Sequence, residues 1–429
     1  MTPDPTTDAL AIAASWLETL DLATLVTTAL ADVAETRVDL VAIGKAAGEM
    51  GDAARSALGA RVNRRLVISD ASGAARRTDD DAVIVGEHPV PGAGSLAAAH
   101  HLVAFLREPT GAELTLFLVS GGASSLCAWP ADPLGLDGLA ELWRAALGAG
   151  VDITTLNRLR AATSMIAGGA VLREVTTPRS RTLIMVDNVV SGAPWVASGL
   201  TYEFTPSTTE VAELLERVAI PAGPLATRVE AAAVSRRAVM RRPVTTRHDN
   251  LVVADPALLL EHAAARAGAL GYEVHSLGDS LQGDVDDLAA RFAAVLGDLA
   301  ARPGHHCVLG VGEVTVHVRG SGVGGRCQEL AWTMAPVLAA LGAPASFVAR
   351  SSDGRDYVEG VAGAWVDEST LGRVDEAGLD WAAVKADNDS HCGLTALGQL
   401  IAGGHTGWNL CDLYVAVLEP RGSSIAGSL

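Results

Sequence analysis

The sequence predicts an α/β protein of two domains with a largely parallel sheet, on three observations. Short β-branched runs alternate with longer Ala- and Leu-rich amphipathic segments, the pattern that lays helices over a parallel sheet. A chain of 429 residues is longer than one hydrophobic core fills. A charged, strand-poor stretch, 207–242, separates two strand-rich halves, which places the boundary inside it and gives expected domains of 1–235 and 236–429.

In chain order, helical spacing of Leu and Ala runs from Asp8 to Glu35. Strands are expected at VDLVAI (38–43), RLVIS (65–69), AVIVG (82–86), LTLFLVS (114–120) and TLIMVD (182–187). Between them, SLAAAHHLVAFL from Ser95 and LGLDGLAELWRAALGAG from Leu134 read as helices. A second set of strands, NLVVAD, YEVHSL, HCVLGV, VTVHVR, SFVARS and AGAWVD, starts at Asn250, with helical stretches such as DPALLLEHAAARAGALG between. No tandem repeat and no low-complexity linker interrupts them.

Composition narrows the function. The chain is 49% hydrophobic with few aromatics, as in a well-packed soluble protein. No apolar run reaches membrane-spanning length, and no Lys or Arg precedes Arg37, unlike the basic start of a secretory or transit peptide; a cytoplasmic location is expected. Five scattered cysteines without a C-x-x-C pair argue against both a disulfide framework and a zinc site. A formal charge of -18 disfavours nucleic acid and anionic membranes, so an anionic substrate must meet a local cationic pocket. Of 32 Lys and Arg residues only Lys45 and Lys385 are lysines. Lys45, between an apolar run and a helix-like segment, reads as functional; Lys385 could equally be an ordinary exposed residue.

Several strands end in one vocabulary: AIGKAAG, LVSGGASS, MVDNVVSG, LGVGEVT and ARSSDGRD. Glycine lets backbone amides approach a ligand, so these loops read as an anion-binding face. Gly121 and Gly122, with Ser124 and Ser125 as first-turn hydroxyls of a helix, suit a phosphate cradle, or else a serine-capped turn. GSGVGGRCQE contains G-x-G-x-x-G at Gly320, Gly322 and Gly325, which invites a nicotinamide-dinucleotide reading. Arg326 directly behind the glycines, however, suits a bidentate clamp on phosphate oxygens. Glu313, after Gly312, could hold a metal ion or that arginine, or be an exposed strand residue. Asp187 and the pair Asp353 and Asp356 are candidates for general base or magnesium ligand. Asn157 and Arg160 share a helix face at i, i+3. His88 sits in a loop where a turn role is the simpler account, and Asp389 with Ser390 suits a helix cap.

With GKAAGEM, GEHPVPGAGSLAAA, LVSGGASSL, DITTLNRLRAATSMIAGG, VASGLTYEFTPST, GEVTVHVRGSGVGGRCQEL, SDGRDYVEGVAGA and NDSHCGL in this order, the chain resembles the glycerate 2-kinase family, whose C-terminal part is called the MOFRL domain. The resemblance runs from about Val41 to Leu413. It implies a Rossmann-like N-terminal domain, a smaller α/β MOFRL-type C-terminal domain and a site in the cleft between them. The implied reaction transfers the γ-phosphate of ATP to the 2-hydroxyl of D-glycerate, with a divalent cation such as Mg2+. Lys45 and Arg326 fall on the family's catalytic cations, and Asp187 is assigned beside them to the acceptor hydroxyl or the metal. Ser120, Gly121, Gly122, Ser124, Gly312, Glu313, Gly322, Gly324 and Gly325 are assigned to the nucleotide, His88, Asn157, Arg160 and Ser191 to the acceptor, and Asp187 with Asp353 to the metal. An ammonium and a guanidinium from the two lobes are expected to converge on one anion, and a homodimer is among the expected assemblies.

The chain also departs from the family pattern. Ser191 and Gly192 stand where paired acids are usual, Ala167 replaces a lysine, and Gly92, Cys327, Tyr357 and Trp408 replace other motif residues. These changes gather on the acceptor side, so the acceptor is expected to be a different hydroxy acid or polyol, larger and less polar. Two rivals are a homologue on the same scaffold without kinase activity and a nicotinamide-dependent oxidoreductase.

Overall fold

The computed structural model describes residues 4–75, 83–148, 153–188 and 192–419. The chain is an α/β protein that divides into two compact units, one of Asp21–Ala254 and one in which Asp255–Leu429 is joined by the first 20 residues.

In the first unit, strands β1 (Val38–Ile43), β2 (Val62–Ser69), β3 (Val83–Val85), β4 (Leu114–Val119), β5 (Arg179–Met185) and β6 (Arg247–Ala254) form one sheet in the order β3-β2-β1-β4-β5-β6. Every pairing is parallel. This is the Rossmann order, whose strand sequence reverses between β1 and β4. Those central strands, VDLVAI and LTLFLV, are buried at every position, as a strand covered on both faces must be. The helices are α2 (Leu22–Ala29), α3 (Ala47–Leu58), α4 (Ala71–Ala75), α5 (Ala93–Arg107), α6 (Ala123–Leu126), α7 (Gly135–Gly148), α8 (Ile153–Thr163), α9 (Thr208–Arg217) and α10 (Pro224–Met240), after α1 (Pro5–Thr19).

The second unit holds β7 (Glu273–Ser276), β8 (His306–Gly312), β9 (Ala345–Ser351), β10 (Val361–Asp367), β11 (Leu400–Ala402) and β12 (Asp412–Leu418). Its sheet order is β11-β10-β9-β12-β8-β7. Only β7 and β8 run parallel; the other pairings are antiparallel. Its helices are α11 (Pro256–Ala269), α12 (Val285–Leu299), α13 (Arg326–Leu341), α14 (Thr370–Glu376), α15 (Trp381–Ala386) and α16 (Ser390–Leu397). Trp332 of α13 is fully buried and donates its indole N–H to the Trp381 carbonyl at 3.2 Å, while Trp381 donates to the Trp332 carbonyl at 3.0 Å. This reciprocal pair fixes α13, the helix that begins at Arg326.

Three expectations change. The first helix packs on α11, β9 and β12, burying Ala9, Ile12, Ala13 and Trp16, so it belongs with the second unit. NLVVAD, expected in the second set of strands, lies in β6 and pairs with β5, which moves the division from 235/236 to 254/255. VTVHVR forms no strand; its one ladder contact is an isolated bridge from Thr315 to Asp284. Conversely, DLYVAVL, buried at every position, is a central strand that the sequence pattern had not singled out.

Candidate active site

Within the first unit, the chain after β1 and the chain after β4 meet where the strand order reverses, the position at which parallel sheets bind ligands. Gly44 leaves β1 at φ +131°, and a Cβ there would press on Ser120 Oγ and lie 2.7 Å from the Ser120 carbonyl oxygen. Only glycine lets the two loops close this tightly. The contact is then fastened: the Lys45 amide donates to the Gly121 carbonyl at 2.9 Å, the Ala46 amide to Ser120 Oγ at 3.1 Å, and Ser69 Oγ to the Gly44 carbonyl at 3.1 Å. Lys45 therefore rises from a fixed backbone.

Gly122 adopts φ +82°, with the Lys45 and His88 side chains both within 3.3 Å of where its Cβ would be. Among the described residues, the amides of Gly121, Gly122, Ala123 and Ser124 have no hydrogen-bond acceptor, and the Lys45 ammonium has no ion-pair partner. Four adjacent donors and one cation are thus uncommitted among the described residues. His88 is positioned from both sides. Glu87 accepts from the Gly94 and Ser95 amides at the start of α5, and Ser125 Oγ donates to the Pro89 carbonyl at 2.7 Å. Partial burial, and then the charge of Lys45, push the His88 imidazole down to about 4.

Asp187 follows β5 in the same unit. Burial pushes its carboxyl up, while the charge of Lys45 pulls it back. Asn157 and Arg160 on α8 do share a face, with Arg160 donating to Asn157 Oδ1 at 3.2 Å. Asn157 also accepts from Ser198 Oγ at 3.1 Å, and Ser198 meets Ser124 Oγ at 2.7 Å. A chain of polar contacts thus links the α8 face to the amide loop. The Arg160 guanidinium lies 3.7 Å over the Trp143 ring, its Nε is buried without a hydrogen bond among the described residues, and burial lowers it to about 9. It borders a small enclosed cavity of about 20 Å³, with Trp129, Trp143, Ser124 and Ser198 in the wall. Ser191 lies outside the described residues.

In the second unit, Arg326 opens α13. Its guanidinium forks onto Asp412, with Nε donating to one carboxylate oxygen and Nη2 to the other at 3.0 Å, while Nη1 donates to Glu313 at 2.5 Å. Three of its five N–H groups are thus engaged. Asp412 is fully buried, and together with Glu313 it raises the guanidinium well above its ordinary range against the opposing effect of burial. Asp412 was missed in the sequence, although an acid opening a wholly apolar run is the same signal that marked Asp187.

The glycines before Arg326 are used differently from the expected cradle. The amides of Arg319, Ser321 and Val323 donate to side chains of Asn388, Asp387 and Asp389, and Gly322 donates to the Asp387 carbonyl at 2.9 Å. A Cβ on Gly320 would lie 2.5 Å from that carbonyl, and one on Gly322 2.7 Å. Here the bare backbone serves close approach to another chain segment. Asp356 caps α13 by accepting from the Cys327 and Gln328 amides at 3.1 and 2.9 Å. Burial, aided by Asp412, raises its carboxyl to about 6. Only the Gly324, Gly325 and Arg326 amides remain without an acceptor among the described residues. They border a groove of about 440 Å³ whose wall includes Asp353 and Tyr357. Asp353 uses Oδ1 for Ser351 Oγ and the Arg355 amide, at 3.0 and 2.8 Å. Gly312 packs its backbone on Leu281 and does not border the groove.

Other candidates resolve simply. Lys385 pairs with Asp286 and donates to Thr333 Oγ1 at 3.1 Å, a structural contact. Among the described residues the five cysteines form no disulfide, and only Cys392 is exposed. No helix among them is long and apolar enough to cross a membrane.

Two family models match the chain, one before and one after the 254/255 division, and the first also takes in residues 8–20, which belong with the second unit. A domain family of unknown function, DUF4147, matches residues 8–232, and the MOFRL family matches residues 306–412. The chain is 27% identical over 391 residues to D-glycerate 2-kinase of Thermotoga maritima, covering 89% of this chain and 91% of that one. It is 30% identical to glycerate kinase of Macaca fascicularis, covering 78% and 96%. The crystal structure of the Thermotoga maritima glycerate kinase superposes with a TM-score of 0.84 at 25% identity, over 96% of this chain and 99% of that one.

Proposed function

Because the chain belongs to the glycerate 2-kinase family, we propose that it transfers the γ-phosphoryl group of ATP to a hydroxyl of a small, glycerate-like 2-hydroxy acid. One observation carries the proposal: among the described residues, four successive amides, Gly121 to Ser124, stand without acceptors beside a Lys45 ammonium without an ion-pair partner. Such a donor set fits phosphate oxygens, which accept several hydrogen bonds at once. ATP, when bound, would supply the γ-phosphoryl group, with ADP as the leaving group. The protein's part is to position the reactants and offset charge.

In this assignment the Gly121–Ser124 amides hold phosphate oxygens, and Lys45 offsets charge on the group being transferred. Arg326 is assigned the second cation, with its remaining N–H groups available once Asp412 and Glu313 have fixed its plane. Gly324 and Gly325 lend amides beside it. Asp187, made more basic by burial while the charge of Lys45 opposes that effect, is assigned to take the proton of the attacking hydroxyl. For a divalent cation accompanying the nucleotide, Asp187 is the candidate carboxylate of the first unit and Asp353 that of the second. Arg160 is assigned the acceptor carboxylate, because a buried guanidinium lacking any carboxylate partner among the described residues suits an anion. His88 and Asn157 border the same face.

The test is ADP release measured with wild-type protein, ATP, magnesium and a panel of hydroxy acids that includes D-glycerate. The proposal expects turnover with at least one short 2-hydroxy acid, reduced by on the order of a thousandfold in Lys45→Met. No turnover with any of them, or full turnover in Lys45→Met, overturns it.

A further inference from the structure

We propose that the second unit carries a binding site for a zinc-type divalent cation at the edge of its sheet, formed by Glu273, His275 and His306. The strand pattern builds it. Glu273 and His275 are two apart on β7, so they share one face, and Glu273 lies directly across from His306 at the start of β8. The Glu273 amide donates to the His305 carbonyl at 2.8 Å and locks that register. β7 is the last strand of the sheet, so the cluster opens to solvent on one side.

The distances favour a metal over an internal hydrogen-bond network. His275 Nε2 and His306 Nδ1 are 3.3 Å apart. His306 Nδ1 is 3.4 Å from Glu273 Oε2, and His275 Nε2 is 3.8 Å from Glu273 Oε1. Hydrogen bonds of this type cluster near ~2.9 Å, so each contact is long for one. Ligands at ~2.0–2.1 Å around a tetrahedral ion are separated by about 3.3–3.4 Å. Two of the three separations match that edge, and a small rotation of the exposed Glu273 side chain closes the third.

Burial fixes the rest of the geometry. His306 is 1% exposed, with the Gly304 backbone against its ring, so its Nδ1 is held in one direction. His275 is half-buried and Glu273 exposed, which leaves a fourth position for water. Two imidazoles and a carboxylate suit Zn2+ or Co2+ better than Mg2+ or Ca2+, which favour all-oxygen sets. The site sits at the opposite end of β8 from Glu313, about 20 Å along the strand, so it is separate from the proposed phosphoryl chemistry.

The experiment uses the full chain, stripped with a chelator and titrated with Zn2+ by calorimetry and with Co2+ by visible absorption. One equivalent is expected to bind, with a rise in melting temperature and Co2+ bands of nitrogen and oxygen ligation. His275→Ala and Glu273→Gln, both at accessible positions, are expected to weaken binding at least tenfold while the metal-free melting temperature stays within a few degrees of wild type. Kinase turnover is expected to be unchanged in both. Absence of Co2+ binding, unaltered affinity in both variants, or thiolate charge-transfer bands pointing to cysteine ligation would each overturn the assignment.

Discussion

Replacing Gly44 with alanine tests whether the close junction of the β1 and β4 loops sets the position of Lys45. At φ +131° a side chain is strained, at a cost of roughly 1–3 kcal/mol. The new Cβ would also stand 2.7 Å from the Ser120 carbonyl oxygen, which belongs to backbone and yields only if a loop moves. Reaching an ordinary contact of about 3.5 Å needs a shift of about 0.8 Å, and such overpacking adds roughly 1–3 kcal/mol. The same shift breaks the bond from the Ala46 amide to Ser120 Oγ and displaces Lys45 from the amide row. A misplacement near 1 Å costs up to about a hundredfold in rate, so a fall in kcat of at least tenfold is expected, with a stability loss of about 2–6 kcal/mol. Gly111→Ala is the control: φ is +74°, but nothing lies within 4 Å, so only about 1–2 kcal/mol of backbone strain remains and kcat is untouched. Urea midpoints and coupled ADP release measure both quantities. If the two variants match in stability and in kcat, the junction does not position Lys45.

Four further outcomes are expected. Lys45→Arg does not restore the turnover lost in Lys45→Met, since a planar fork cannot replace a compact ammonium beside Gly122; single-turnover phosphoryl transfer measures it. Asp412→Asn leaves Arg326 with Glu313 as its one carboxylate and lowers stability by about 2–4 kcal/mol in urea, with turnover falling in parallel. His88 has its folded value held down at about 4 against an ordinary 6.5, so the unfolded chain binds more protons between those values. Stability therefore falls as pH drops from about 6.5 towards 4, and His88→Gln flattens that part of the urea-midpoint profile. Gly297→Ala, inside α12 with nothing within 4 Å of the new methyl, raises the unfolding free energy from urea titration by about 0.5–1 kcal/mol.

The first sheet was legible because its central strands are buried on both faces, so VDLVAI and LTLFLV appear as unbroken apolar runs. What misled was pairing, which local pattern does not encode. NLVVAD reads as a strand in either half, and only its partner β5 assigns it to the first unit. The first helix is amphipathic wherever it docks; Trp16 and Ile12 are buried against strands more than 300 residues away. VTVHVR alternates as a strand should, yet Val318 is 74% exposed, because the chain beyond it is tied to the 387–390 segment.

The glycine-rich stretch 320–325 shows where sequence reasoning about the site stops. Glycine is required wherever backbone must approach something closely, and the requirement is the same for a phosphate oxygen as for another peptide carbonyl. At Gly320 and Gly322 the neighbour is Asp387, so two of the glycines are accounted for by internal contact. That contact still bears on function. By tying 319–323 to the 387–390 segment, it fixes the approach to α13, while Asp356 caps the Cys327 and Gln328 amides. What stays uncommitted is the short run of Gly324, Gly325 and Arg326, with Asp412 and Glu313 orienting the guanidinium. In the first unit, by contrast, the amides of the glycine loop after β4, from Gly121 to Ser124, have no acceptor among the described residues. A motif of bare backbone is therefore a site only where its donors lack internal acceptors, a property of the folded chain that spacing alone does not carry.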